Sequence, residues 1–223
     1  RGNYEMPIAA GDRAGELAQA KLRRKLHPFI LRRLKQDVAK DLPDKIVKVS
    51  FCQLTDDQQR VYNDLLAETR RKAGDLVNAK GFDRSRFEIL AMLMRLRQTC
   101  CHLDLLKNRH QPGTYENPSA KLDAFFDILD EAVDGGHRIL VFSQFVAMLK
   151  LLRDELDSRT LPYCYLDGAT QDRLAQCARF NRDPSIPLFL ISLKAGGTGL
   201  NLTGADMVVH FDPWWNPAVE DQA

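Results

Sequence analysis

The second half of the chain alternates between the hydrophobic spacing of helices and that of buried strands. After Ser119, apolar residues recur every three to four positions as far as Gly135, which predicts an amphipathic helix with Ser119 as its N-cap. Two further helices are predicted near residues 148–156 and 172–181. Apolar runs predict strands over residues 138–145, 163–166, 188–192 and 207–211. Strands joined through single helices require right-handed crossovers, so the pattern predicts an α/β fold with an open parallel sheet and flanking helices.

The first half is predicted to be mainly helical. A helix begins after Thr55, because the spacing of Thr55 and Gln58 is that of a capping box. The other predicted elements are a helix over 16–26, a strand over 45–51 where apolar and polar residues alternate, an exposed loop or helix tip over 72–86, and a helix near 86–106.

Residues 108–118 are a linker by composition, since they hold two prolines and one glycine among polar residues. We therefore expect three regions. Residues 1–43 form a basic helical segment, residues 44–118 a strand with a helical protrusion and a linker, and residues 119–223 the α/β domain.

The composition is that of an ordinary globular protein. The 223 residues are 44% hydrophobic and 28% charged. No apolar run approaches the roughly 20 residues that span a bilayer, and no signal peptide opens the chain, so we expect no membrane partner. The formal net charge of +2 is too small to indicate a nucleic-acid partner by itself.

The five cysteines are odd in number and form no CxxC pair, which favours reduced thiols in an intracellular protein. Cys100, Cys101 and His102 are adjacent and invite a metal interpretation. Neighbouring side chains on a helix point about 100° apart and cannot jointly hold one zinc ion well. We therefore predict no metal site and place both of these cysteines in the core.

A glycine-rich loop follows the apolar run that ends at Ser192. Gly196, Gly197 and Gly199 let the backbone approach a phosphate, because no Cβ blocks it. Lys194 adds a positive charge, and Ser192, Thr198 and Asn201 add short hydrogen-bonding groups. Ligands of open parallel sheets gather at the carboxyl ends of the strands, so this loop is predicted to contact phosphate.

The same stretch carries a family resemblance. Residues 192–205 (SLKAGGTGLNLTGA) and 210–217 (HFDPWWNP) resemble motif V and its continuation in the Swi/Snf-type DNA-dependent ATPases. These are helicase-like motors of superfamily two that translocate on duplex DNA and remodel chromatin or other nucleoprotein complexes. The resemblance implies that residues 119–223 are the second RecA-like lobe of such a motor.

Other segments extend the resemblance along the chain. Residues 138–145 resemble motif IV, and residues 166–181 (LDGATQDRLAQCARFN) resemble the family's next motif. Residues 27–45 resemble the segment that leaves the first motor lobe. Residues 96–103 (LRQTCCHL) resemble the helical element ahead of the second lobe, although Leu103 stands where the family usually has proline.

The resemblance implies two sets of site residues. The nucleotide-facing set is Gly196, Gly197, Thr198, Gly199 and Asn201, and the DNA-facing set is Ser143, Gln144, Thr170, Arg173, Ser192, Lys194 and Trp215. Structural alternatives stay open for several of them. Ser143, Gln144 or Thr170 could cap a helix. Arg173 could be structural. Trp215, together with Trp214, could anchor the core or a loop. His210 is predicted to be packed.

The basic segment 21–35 has seven basic side chains and no acidic one. A solvated helix face, a nucleic-acid contact and a brace against the first lobe all account for such a run.

Several parts of an ATP-hydrolysing site are missing from these residues. There is no GxxxxGK[ST] loop, and no Asp-Glu pair at the end of an apolar strand to hold magnesium. The chain ends at EDQA, ahead of the family's arginine-bearing motif VI, and an arginine finger is worth about 10³–10⁵ in rate. We therefore expect no catalytic residue in this fragment and no hydrolysis by it alone. ATP and Mg²⁺ would be bound in the full-length parent, mainly by a first lobe upstream.

The partners implied are double-stranded DNA, the first RecA-like lobe of the same chain and a nucleoprotein complex, and the fragment itself is expected to be monomeric. An intracellular location follows, with a bacterial cytoplasm favoured over a nucleus. Two alternatives stay open: an RNA helicase of superfamily two, and a non-catalytic interaction module that keeps the lobe as a scaffold. A Rossmann dehydrogenase is poorly supported, because GGTG lies late in the unit and no acidic ribose partner follows.

Overall fold

A computed structural model describes residues 2–30, 45–106, 115–196 and 199–214. Contacts between Cα atoms divide the chain into two compact units, Arg1–Ser50 and Phe51–Ala223, and each is described by itself. Across the described ranges, none of the helices is both long and apolar enough to cross a bilayer.

The described part of the first unit has two helices, α1 (Glu5–Ala10) and α2 (Arg13–Leu26). Asp12 caps α2, with its Oδ1 accepting a hydrogen bond from Gly15 N at 2.8 Å. The helix predicted over 16–26 is confirmed, and it begins earlier because of this cap. Lys21, Arg23, Arg24 and Lys25 of the predicted basic segment are exposed, and residues 31–35 lie outside the described residues.

The strand predicted over residues 45–51 is wrong. These residues form no regular element, and Ile46, Val49 and Phe51 are 83%, 71% and 93% exposed. Alternation alone does not make a strand, because its backbone groups must pair with a neighbouring strand. Within the residues that the structure describes, no strand pairs with this segment.

The second unit begins with a helical hairpin, formed by α3 (Asp56–Lys80) and α4 (Phe82–Cys101). The predicted capping box is confirmed: Thr55 Oγ1 accepts from Gln58 N, and Gln58 Oε1 accepts from Thr55 N. Of the two alternatives predicted for 72–86, the helix tip is confirmed, because these residues hold the end of α3 and the start of α4. The turn is reduced to Gly81 at a φ of 77°, a conformation that glycine adopts without strain.

A four-stranded parallel sheet forms the rest of the second unit, in the order β2-β3-β1-β4. The predicted α/β fold is thus confirmed, with slightly shorter strands than the apolar runs suggested. The strands are β1 (Ile139–Ser143), β2 (Tyr163–Leu166), β3 (Leu188–Ser192) and β4 (Met207–His210). The helices are α5 (Ala120–Asp134), α6 (Val146–Ser158), α7 (Arg173–Arg182) and the short α8 (Leu193–Gly196).

Both faces of the sheet are covered, which explains why the strands are continuous apolar runs. On one face Ile139 and Val141 pack with helices α5 and α6. On the other face Leu140 and Phe142 pack with α7. The residues of α6 predicted to face inward, Met148, Leu149, Leu152 and Leu156, are each 0% exposed.

Candidate nucleic-acid and nucleotide interface

Four of the predicted site residues lie together where β1 and β3 end. Ser143 and Ser192 are the last residues of these strands and are register partners across the sheet. Both are buried, whereas Lys194 on α8 is exposed. Gln144 follows Ser143 directly. We call this the carboxyl-end edge of the sheet; among its described residues Lys194 is exposed, Gln144 is half-buried, and Ser143 and Ser192 lie buried beneath them.

Ser143 makes a local turn rather than a helix cap. Its Oγ accepts a hydrogen bond from Phe145 N at 3.1 Å, and no side chain caps α6. The capping alternative for Ser143 and Gln144 is therefore excluded.

Gly196 has a packing reason within the protein. A Cβ at this position would lie 2.6 Å from Phe142 Cε1 and 3.1 Å from Ile191 Cγ2. The Phe142 ring is buried and stacks on the His210 ring, with 5.6 Å between centroids. Only glycine lets α8 lie this close to the sheet, and His210 is packed as predicted.

Glycine at position 199 is required by the backbone conformation. Gly199 has a φ of 75°, and a Cβ there would meet nothing within 4 Å. Gly197 and Thr198, between these two glycines, lie outside the described residues, as does Trp215.

Asn201 lies apart from the carboxyl-end edge. Leu200 and Leu202 pack against the buried core on either side of it, so the exposed Asn201 points away from that core. Its carbonyl accepts a hydrogen bond from Asn181 Nδ2 at 2.9 Å, near the end of α7. Because α7 leads into the amino end of β3, this contact places Asn201 at the amino-end edge of the sheet.

Arg138 holds the same edge together. Its guanidinium donates to the carbonyls of Phe180, Asp183 and Ile186 and lies over the Phe180 ring. A Cβ on Gly204 would come within 2.7 Å of Arg138 Nη1. The chain from Asn201 to β4 therefore runs against this cluster, whereas Lys194 lies at the opposite edge.

Thr170 belongs to the turn after β2. Its Oγ1 accepts from Asp167 N at 2.9 Å, so it does not cap α7. Asp172 takes that role, with Oδ1 accepting from Ala175 N at 2.8 Å, because it immediately precedes the helix. Burial alone would raise the pKa of Asp167, but hydrogen bonds from Ala169 N, Tyr165 Oη and Thr170 lower it below the ordinary value. Arg173, the first residue of α7, is half-buried.

A network that the sequence did not reveal lies beside Gln144. Arg97 of α4 donates from Nη1 to Gln144 Oε1 at 3.2 Å and from Nη2 to Pro213 O at 2.6 Å. Gln144 N in turn donates to Asp212 Oδ2 at 3.1 Å. An Asp directly after the last apolar run was the one signal available, since carboxylates at strand ends are often structural or functional.

Asp212 is buried at 4% exposure. Burial raises the pKa of its carboxyl, against hydrogen bonds from Ser143 and Gln144 that lower it. The folded protein therefore binds the Asp212 proton more tightly than the unfolded chain does.

The raised pKa of Asp212 makes the free energy of unfolding depend on pH, and the variant Asp212→Asn is expected to remove that dependence. A group with a raised pKa in the folded state binds its proton at higher pH than in the unfolded state. Its stability contribution is therefore present at low pH and is lost as pH rises through the folded pKa, by about 1.4 kcal/mol for each unit of pKa difference. Urea denaturation at pH 7 and pH 4.5, followed by tryptophan fluorescence, checks this. The free energy of unfolding of wild type minus that of D212N should be larger at pH 4.5 than at pH 7, and an equal difference at both values would contradict the expectation.

Cys100 and Cys101 end the hairpin helix α4 and His102 follows them; of the two cysteines predicted in the core, only Cys101 is fully buried. Cys101 is buried, and burial raises the pKa of its thiol to about 12, while Cys100 is half-buried. His102 Nδ1 accepts a hydrogen bond from Asp104 N at 3.1 Å. The described residues contain no group of three or more His, Cys, Asp or Glu side chains that could hold a metal ion.

Two family profiles match the chain. The SNF2-related domain matches residues 2–105, and the helicase conserved C-terminal domain matches residues 120–223. The first covers the helical half, and the second covers the parallel sheet.

Solved structures are similar over most of the chain. The Sulfolobus solfataricus SWI2/SNF2 ATPase core in complex with dsDNA is 33% identical, with a TM-score of 0.65, over 99% of this chain and 46% of that one. The C-terminal domain of the Sulfolobus solfataricus SWI2/SNF2 ATPase is 34% identical, with a TM-score of 0.62, over 76% of this chain and 73% of that domain.

Curated relatives are much longer than this chain. The putative ATP-dependent helicase/translocase YwqA of Bacillus subtilis is 35% identical over 99% of this chain, which spans 24% of that protein. The chain spans 19% of similar helicases from two Mycoplasma species. The parallel sheet, the glycine loop after β3 and these matches together identify the chain as a member of the SWI2/SNF2 family of ATPases.

Proposed function

We propose that the protein containing this chain is an ATP-dependent motor that moves along double-stranded DNA, and that residues 119–223 are its second RecA-like lobe. The observation that carries the proposal is the likeness, over nearly the whole chain, to the SWI2/SNF2 ATPase core solved with dsDNA. Its partners are duplex DNA, a first RecA-like lobe of the same protein and a nucleoprotein target. The motor works inside the cell, where both ATP and DNA are found.

The carboxyl-end edge is the proposed DNA contact. Lys194 is exposed there, next to the half-buried Gln144 and the buried hydroxyls of Ser143 and Ser192, so Lys194 is the group proposed to make the first contact. An ammonium group and short polar groups suit phosphate oxygens rather than base edges, so binding is salt-sensitive and largely independent of sequence. Thr170, Arg173 and Trp215 complete the proposed set.

The loop after β3 is the proposed nucleotide contact, through Gly196, Gly197, Thr198 and Gly199. Backbone N–H groups in such a loop can bind phosphate oxygens. Asn201 lies at the amino-end edge, so we propose that it contributes to nucleotide binding by fixing the course of the loop backbone. We propose that ATP and Mg²⁺ are bound in the full-length protein, mainly by its first lobe.

Lys194→Ala is expected to lower the DNA-stimulated ATPase rate of the full-length protein about tenfold or more, because a charge-assisted contact to phosphate is worth about 1.5–3 kcal/mol. Lys150→Ala is the matched control, since Lys150 is an exposed lysine on α6. Hydrolysis is measured without nucleic acid, with duplex DNA and with RNA. Asn201→Ala is measured separately, because the structure places it at the other edge.

The three arms separate the alternatives. Stimulation by duplex DNA that is lost in K194A and kept in K150A supports the proposed motor. Stimulation by RNA alone would indicate an RNA helicase, and no hydrolysis under any condition would indicate a scaffold.

A further inference from the structure

One guanidinium of the helical hairpin joins the ends of two neighbouring strands. Gln144 follows β1 and Pro213 follows β4, and Arg97 donates a hydrogen bond to each of them. The guanidinium also lies over the Trp214 ring, 5.4 Å from its centroid. Arginine suits this position because its planar fork presents several donors at once, whereas a lysine ammonium would act as a point charge.

The contact continues into the sheet. Arg97 donates to the side chain of Gln144. The backbone N–H of Gln144 donates in turn to Oδ2 of the buried Asp212. Lys121 Nζ donates to the carbonyl of Phe211, the residue directly after β4, at 3.5 Å. Arg97 therefore acts on the chain after β1 and on the chain after β4 together.

The hairpin does not depend on Arg97 for its attachment. Gln58 Nε2 donates to Thr99 O, and Gln58 Oε1 accepts from Ala120 N, so this side chain joins α3, α4 and α5. Ser119 Oγ donates to Cys101 O. The base of the hairpin is thus fixed by other residues, and what Arg97 adds is a second attachment at the carboxyl-end edge.

We propose that Arg97 is a positioning residue, which couples the helical hairpin to the DNA-contacting edge so that both move as one body. The proposal rests on the proposed motor function. In such a motor the hydrolysis that DNA stimulates depends on this coupling, while hydrolysis without DNA does not.

The test uses the full-length protein with the variants Arg97→Ala and Arg97→Lys. Arg95→Ala is the matched control, because Arg95 is exposed on the same helix. We expect R97A to lower the DNA-stimulated rate about tenfold and to leave the unstimulated rate within about twofold. R97K should restore only part of the stimulated rate, since it keeps the charge and loses the fork.

Hydrogen exchange provides a readout that does not depend on catalysis. The Gln144 amide, which donates to Asp212, should exchange about tenfold faster in R97A than in wild type, with wild-type exchange in R95A. If the wild-type protein hydrolyses no ATP, the proposed motor function fails, and this exchange measurement still decides the coupling.

Three outcomes would overturn the coupling. They are unchanged exchange at Gln144, an equal loss of stimulated and unstimulated hydrolysis, and full restoration by R97K. If R97A does not fold, R97K alone decides: a wild-type ratio of stimulated to unstimulated rate contradicts the proposal, and a reduced ratio supports it.

Discussion

Replacing Gln58 by alanine is expected to lower the free energy of unfolding of the second unit by about 2–4 kcal/mol. Gln58 is 0% exposed, and its side-chain amide serves the ends of three helices. Nε2 donates to Thr99 O at 2.7 Å, one of the last carbonyls of α4. Oε1 accepts from Ala120 N at 3.0 Å, the first amide of α5, and from Thr55 N ahead of α3. Helix ends leave such groups without intrahelical partners, so alanine would leave the buried Thr99 carbonyl and the half-buried amides of Thr55 and Ala120 unpaired.

Urea denaturation followed by tryptophan fluorescence measures this effect, because both tryptophans of the chain lie in the second unit. Gln59→Ala is the matched control, since Gln59 is exposed and its side chain donates a hydrogen bond to Asn63 on the same helix. Gln58→Met keeps the volume and removes the hydrogen bonds, so it separates the polar contribution from a cavity. A loss below about 1 kcal/mol in Q58M would show that the hydrogen bonds matter little.

Gly196→Ala is expected to lower the free energy of unfolding by about 1–3 kcal/mol, the usual cost of overpacking a core. The added Cβ would lie 2.6 Å from Phe142 Cε1. The ring cannot move away easily, because it is only 2% exposed and the His210 ring stacks against it. A shift of α8 instead would displace Lys194, so the DNA-stimulated ATPase rate should fall with stability.

The control for this variant is Gly168→Ala, because a Cβ on Gly168 would meet nothing within 4 Å. A second substitution tests the cause. Phe142→Leu shortens the side chain that the new methyl meets, so G196A should cost less in the F142L background than in wild type. Equal costs in both backgrounds would mean that the clash with Phe142 is not the reason for glycine here.

Local signals were sufficient for the helices and strands of the second unit. The capping residues Ser119 and Thr55 were predicted correctly, because each bonds an amide three residues away. The buried strands were predicted because both faces of the sheet are covered, which makes all but the last positions of β1 and β3 apolar. The strand over 45–51 was predicted wrongly because a strand is stable only when its backbone groups pair with a neighbouring strand. No strand in the described residues pairs with this segment.

In the candidate site, too, local signals identified some features and the tertiary structure decided the others. The glycine loop and its lysine were identified from spacing, and the exposure of Lys194 agrees with a contact role that is still to be tested. The whole loop was expected at the carboxyl ends of the strands, however, whereas Lys194 and Asn201 lie at opposite edges of the sheet. Leu200 and Leu202 cause the separation, because burying both draws the chain across the core toward Asn181.

The sequence by itself determined the α/β class, the caps Ser119 and Thr55 and the apolar faces, because each depends on residue types at short, regular spacing, and its motifs carried the family resemblance. Only the tertiary structure decided which polar groups meet. Gln58 bonds a residue 41 positions away and another 62 positions away, and Arg97 bonds residues 47 and 116 positions away. Such contacts are set by how the hairpin docks beside the strand ends, and no local pattern in the chain encodes that distance.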